Sequence, residues 1–165
     1  MTTKKLCILA MLTAMYVVLS AFLKFTLFSN VMMDLGYIVF TVALCIYGPW
    51  GTVVGVLGCA LESILFTAYG FSISWCAANL AIGLICGFAF KISRSELEKH
   101  LIILCAVAVG ILVVKTAIEC PLYGIPVEVK IPKNAVAFAA DTVTMMLGLW
   151  VWKLIQKPVE IYVNQ

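Results

Sequence analysis

Charge is scarce in this sequence. Only 12% of its residues are Asp, Glu, Lys or Arg and 64% are hydrophobic, where soluble domains average about 25% charged and 45–50% apolar. An ordinary water-soluble domain is therefore excluded. The net charge of +3 is small and its basic residues sit in short loops; that pattern orients a membrane protein and excludes a nucleic-acid partner. Histidine is nearly absent. His100 stands alone in a charged stretch, so neither a His/Cys metal cluster nor a Ser-His-Asp site can be assembled. The seven cysteines (Cys7, Cys45, Cys59, Cys76, Cys86, Cys105, Cys120) include no C-x-x-C pair. They read as small buried hydrophobes, not as a metal site or a disulfide framework. There is no G-x-x-x-x-G-K-[ST] element, so the chain does not hydrolyse ATP itself. Ten-residue segments of alternating polarity are missing too, which excludes a transmembrane β-barrel.

What is there is a succession of apolar runs. Residues 6–23 follow a basic start (MTTKK) and exceed the h-region of a signal peptide. Further runs cover about 33–47, 52–68, 72–90, 101–120 and 134–152. Each is long enough to cross, or nearly cross, a 30 Å hydrocarbon core at about 1.5 Å per residue. The sequence predicts an all-α integral membrane protein: one domain, residues 1–165, forming a bundle of six transmembrane helices. Gly48-Pro49-Trp50-Gly51 makes a tight turn. KISRSELEKH is the one strongly hydrophilic loop, Pro121 closes the fifth span, and 122–133, with Pro126 and Pro132, reads as a loop. Thr26, Ser29 and Asn30 form a turn after the first span.

Seven bases (Lys4, Lys5, Lys91, Arg94, Lys99, Lys153, Lys157) fall on the face of the termini, and three (Lys24, Lys130, Lys133) on the other. The positive-inside rule puts both termini in the cytoplasm. Depth then follows for every polar residue in a span. Asp34 begins the second span at the outer surface. Glu62 lies just past the middle of the third, Asn79 is about seven residues in from outside, and Lys115 and Glu119 occupy the last turns of the fifth. Asp141 lies about 10 Å down the sixth. All six fall in the outer half or near the midplane. A through-pore needs polar groups at every depth; a cup needs them only at its mouth. The stretch 115–141 is read as one wall of a small-molecule pocket open to the outside.

Ionisable groups in lipid cost about 2.5–3.5 kcal/mol each on insertion scales, so they face a protein interior. Glu62 and Asp141 read as lining the cavity. Lys115 and Glu119, at i,i+4, either line it or neutralise each other. Asp34 and Lys24 either line it or mark water-facing helix ends. Asn79 bonds between helices or meets a ligand. Trp75, Tyr123, Tyr69 and Phe71 form an interfacial belt or stack on a flat ligand.

Small residues four apart recur: Ala10 with Ala14, Gly51 with Gly55, Gly83 with Gly87. Such pairs let helices approach closely. Together with the basic start, Y-G-P-W-G at 47–51, a glycine-rich third span and a charged loop before the fifth, they resemble the substrate-binding S component of an energy-coupling factor (ECF) transporter. That resemblance implies a membrane subunit of a prokaryotic plasma-membrane importer, multi-pass and not an enzyme. It would capture a vitamin or vitamin precursor at the extracellular side, with no cofactor of its own. It further implies that Ala10 and Ala14 dock on a transmembrane coupling protein driven by two cytoplasmic ATPase subunits, and that 25–32 gates the ligand. The substrate-binding set would be Glu62, Asn79, Lys115, Glu119, Asp141, Trp75 and Tyr123. Which vitamin does not follow: there is no biotin-type arginine/aspartate run and no thiamine-type aromatic and acidic cluster. A small secondary transporter or channel subunit is the alternative, though it calls for polar groups reachable from both sides and often an internal repeat.

Overall fold

The computed structural model describes residues 3–28, 31–67, 70–93 and 95–163. Helix α1 spans Thr3–Phe22, α2 Gly36–Tyr47, α3 Thr52–Phe66, α4 Ile73–Ile92, α5 Glu96–Val107, α6 Thr116–Tyr123 and α7 Val127–Val163. A π-helical stretch, Ala108–Lys115, joins α5 to α6 into one continuous rod. Between α1 and α2 the chain forms an antiparallel ribbon, β1 (Lys24–Phe28) and β2 (Val31–Asp34), pairing Lys24 with Asp34 and Phe25 with Met33. The expected turn thus extends into a short ribbon on an otherwise helical protein. Of the expected gate 25–32, residues 29 and 30 lie outside the described residues, as do Tyr69 and Arg94.

Among the described residues, five helical stretches are long and apolar enough to cross a membrane, where six spans were expected. The difference lies at 36–66, where the second and third expected spans count as one stretch of 31 residues interrupted at Gly48–Gly51. Gly48 there has φ 59°, a conformation open to glycine at little cost. The chain doubles back at this point. A Cβ on Gly51 would strike the Ala43 carbonyl, and one on Gly55 would strike the Phe40 ring, so α2 and α3 lie side by side. Helix α2 has only 12 residues, about 18 Å of rise. The Gly83/Gly87 pair also serves packing within the chain, seating Thr52 and Pro49 against α4.

Two boundaries move because the residues read as loops are helical. The helix that carries the fifth span begins at Glu96, inside the stretch expected to be loop, since Ser95 and Glu98 form a reciprocal capping box, which satisfies two otherwise unpaired N–H groups. It does not end at Pro121. It runs to Tyr123 and closes on Gly124 (φ 62°), where the Gly124 and Ile125 N–H groups both reach the Cys120 carbonyl. The helix that carries the sixth span begins at Val127, inside the stretch expected to be loop. Its first turn hangs on the Pro126 carbonyl, which accepts from Val129 and Lys130. Pro132 removes one hydrogen bond inside that helix without ending it.

The helices close into a ring. Helix α1 packs on α3, α3 on α4, α4 on α5 and the π stretch, these on α7, α7 on α2, and α2 on α1. Phe40, Leu44, Ile82, Ile103, Val107, Met145 and Leu149 fill the interior. Outward, Leu61, Ile64, Leu84, Phe88, Leu104, Val143 and Leu147 are all exposed. Apolar exposure on every side is the surface of a protein whose solvent is lipid.

Candidate functional site

Towards the ends of α1, α3 and α6 and the starts of α2, α4 and α7, the interior changes character. A cavity of about 620 Å³ opens there, lined by Tyr16, Asp34, Tyr37, Cys59, Glu62, Ser63, Trp75, Asn79, Lys115, Glu119, Tyr123, Lys130, Lys133 and Asp141 among others. All seven residues expected to bind substrate line this one cavity. Four carboxylates and three ammonium groups share it.

One wall is a continuous polar network. The Lys115 ammonium donates to Asn134 Oδ1 at 3.0 Å, and Asn134 Nδ2 donates to Thr116 Oγ1 at 2.8 Å. Thr116 in turn donates to the Ile111 carbonyl, five residues back, at 3.3 Å. Glu119 accepts from Ser74 Oγ at 3.1 Å and pairs with Lys130 at 2.9 Å. Its distance to Lys115 is 3.9 Å. Of the two readings open for Lys115 and Glu119, both have a counterpart here: the two form an ion pair and both line the cavity. Each also has a nearer partner on α7, which starts early enough to bring Lys130 and Asn134 into the wall. The Lys115 ammonium also sits 3.7 Å above the Trp75 ring centroid, a cation–π contact strengthened by desolvation. One face of that indole is therefore taken.

The remaining groups come from the chain between α1 and α4 and from α7. Asn79, wholly buried, accepts from the Tyr37 hydroxyl at 2.7 Å and donates to the Gly55 carbonyl at 3.3 Å. Both ends of its amide bind other helices, so of its two expected roles the interhelical one is met by the geometry. Asp34 accepts from Ser20 at 2.7 Å and from the Gly36 N–H at 2.8 Å. It thus accepts from the first residue of α2 and lines the cavity as well. Glu62 and Asp141 are buried and line the cavity. Tyr123 stands at the rim, more than half exposed, with Lys130 5.9 Å from its ring.

Sequence reasoning missed Asn134, Thr116, Ser74, Tyr16 and Tyr37; Lys130 and Lys133, which it set on the face opposite the termini, line the cavity. The signal for α7 was present: Lys130, Asn134, Ala137 and Asp141 recur at helical spacing, hidden by the two prolines. Ala10 and Ala14 are not among the residues lining the cavity and are exposed on α1.

Chemically, this is a receptacle: a mixed aromatic, amide and carboxylate lining at one end of a lipid-facing helical bundle. The class so defined is a multi-pass membrane binding protein. Residues 1–155 match the ECF-type riboflavin transporter S component family, and the chain belongs to it: this is the substrate-binding S component of an ECF-type transporter of prokaryotic membranes. Solved structures share its fold. They include the S component for biotin of an ECF-type ABC transporter (18% identity, 95% of each chain, TM-score 0.68). FolT bound with folic acid is another (18% identity, 90% of this chain and 94% of that one, TM-score 0.71). A third is an S component of a bacterial ECF transporter (21% identity, 98% of each chain, TM-score 0.69). None of the curated proteins matches by sequence.

Proposed function

We propose that this S component captures riboflavin, or a close flavin relative, in the cavity between α1, α3, α4, α6 and α7. The observation that carries the reading is the lining. A tricyclic ring system with a polyhydroxyl chain needs aromatic faces beside many hydrogen-bonding groups, and Tyr37, Trp75 and Tyr123 stand here beside Glu62, Lys115, Glu119 and Asp141. The cavity volume of about 620 Å³ falls within the range of about 300–1,000 Å³ typical of small-molecule sites. The family description points to the same ligand. The flavin ring stacks on the face of Trp75 that Lys115 leaves open, and the hydroxyls bond to the carboxylates. Asn79 contributes by holding Tyr37.

The chain reversal at Gly48–Gly51 makes α2 and α3 two crossings, and so six in all. The termini are cytoplasmic and the cavity faces outside. The chain acts as one domain, is not an enzyme and carries no cofactor. Exposed Ala10 and Ala14 form the docking strip for a transmembrane coupling protein, which two ATPase subunits drive from the cytoplasm. Titrating the purified protein with riboflavin and following quenching of flavin fluorescence tests the ligand; native mass spectrometry identifies any co-purified molecule. Saturable quenching is expected. A different co-purified vitamin, with no flavin quenching, would overturn the assignment.

A further inference from the structure

At the opposite end of the bundle lies a second cavity of about 540 Å³, lined by Lys5 and Leu9 of α1, by residues 44–48 and Trp50, and by Phe90 and Lys91. It is built on the Y-G-P-W-G turn, which the vitamin site does not use. Two ammonium groups line it, and among the described residues no carboxylate does. The Tyr47 hydroxyl is buried with no hydrogen-bond partner, although buried polar groups are normally satisfied. Lys91 lies across Gly48, where a Cβ would come 2.6 Å from Lys91 Cε; glycine there is what admits the lysine. Trp50 is 61% exposed at the rim, placed as an indole at a membrane interface.

The geometry points to a binding site for the phosphate headgroup of an anionic phospholipid, with Lys5 and Lys91 as counter-charges and the Tyr47 hydroxyl as donor. Basic pockets between transmembrane helices hold such headgroups. A lipid satisfies every feature together: its phosphodiester meets both lysines and the phenol, while its acyl chains follow the apolar flank of α1, where Leu6 is exposed. The site is separate from the vitamin cavity and holds whether or not riboflavin is the ligand.

The test is native mass spectrometry of the full chain reconstituted with equal amounts of phosphatidylglycerol and phosphatidylcholine, beside Lys5→Ala, Lys91→Ala, the double variant, Lys91→Arg and Tyr47→Phe. Size-exclusion profile and helical circular dichroism verify that each variant folds. Phosphatidylglycerol should be retained preferentially. The preference should fall about fivefold for each lysine removed, fall with Tyr47→Phe, and be kept by Lys91→Arg. Equal retention of the two lipids, or an anionic preference unmoved in the double variant, overturns the proposal. So does displacement of the lipid by inorganic phosphate alone, which would make this a site for the free ion. Loss of the lipid on assembly, with position 91 cross-linking to the coupling protein, would assign the cavity to that partner and overturn it equally.

Discussion

The Lys130 ammonium lies 2.9 Å from Glu119 Oε2, an ion pair that ties the first turn of α7 to α6 across Gly124. Both side chains are largely buried, and Glu119 also accepts from Ser74 on α4. Three elements thus meet on one carboxylate. Breaking a buried pair by removing one charge costs more than the pair itself contributes, because the other charge stays buried alone. We expect Glu119→Gln to lower stability by about 3 kcal/mol, read as a drop in the thermal unfolding midpoint in detergent. Glu119→Gln with Lys130→Met should recover most of the loss. Equal melting of wild type and single variant would mean that water screens the pair.

Asn79 joins three helices with one amide. Asn79→Ala removes the acceptor of the buried Tyr37 hydroxyl and the donor to Gly55. Polar contacts between membrane helices contribute about 0.6–2 kcal/mol each, so a loss of about 1–2 kcal/mol is expected. Riboflavin affinity should fall too, since Tyr37 would no longer be held. Asn79→Asp keeps the acceptor and should retain more of both. Flavin titration alongside thermal melting separates the two effects; unchanged affinity in Asn79→Ala would remove Tyr37 from the ligand's contacts.

Glu62 on α3 and Asp141 on α7 both line the cavity. Replacing either by its amide keeps the shape and removes the charge. Hydrogen bonds to charged groups contribute about 1.5–3 kcal/mol, so Glu62→Gln or Asp141→Asn should weaken riboflavin binding by about tenfold or more. Helical content should not change. Wild-type affinity in both variants would move the ligand elsewhere.

The exposed pair Ala10 and Ala14 allows a test in which binding and transport separate. A bulky side chain there meets nothing inside the protein but obstructs a close helix approach. Ala10→Trp or Ala14→Trp should leave flavin titration of the isolated protein unchanged while abolishing uptake in cells carrying the whole transporter. Loss of binding in the isolated variant would instead make the pair part of the internal packing.

How far the sequence could be read depended on how conspicuous each residue was. Glu62, Lys115, Glu119 and Asp141 are costly in an apolar run, and that cost made them visible. Tyr16 and Tyr37 carry no such signal, since a tyrosine in a span is ordinary until its neighbours are known. Asn134 and Lys130 were hidden by proline. Pro126 and Pro132 read as loop markers, yet one supplies the carbonyl that starts α7 and the other sits within it. The break between the second and third spans was legible as the turn Gly48–Gly51, and α2 and α3 are separated at those four residues. The π-helical stretch has no sequence mark at all. It sets the turn at which Lys115 and Thr116 meet Asn134.

Gly124 gives the cleanest test of how that wall is held. Its φ is 62°, and a Cβ placed there would meet nothing within 4 Å, so any effect of substitution is conformational and not steric. Alanine in the left-handed region costs about 1 kcal/mol or more, whereas asparagine tolerates it. Gly124 also sets the angle between α6 and α7, and hence the reach from Lys130 to Glu119. We therefore expect Gly124→Ala to lower the unfolding midpoint and weaken flavin binding together, and Gly124→Asn to stay near wild type in both. If alanine and asparagine behave alike, the left-handed turn is not what positions the wall, and the Lys130–Glu119 pair must form regardless of how the chain enters α7.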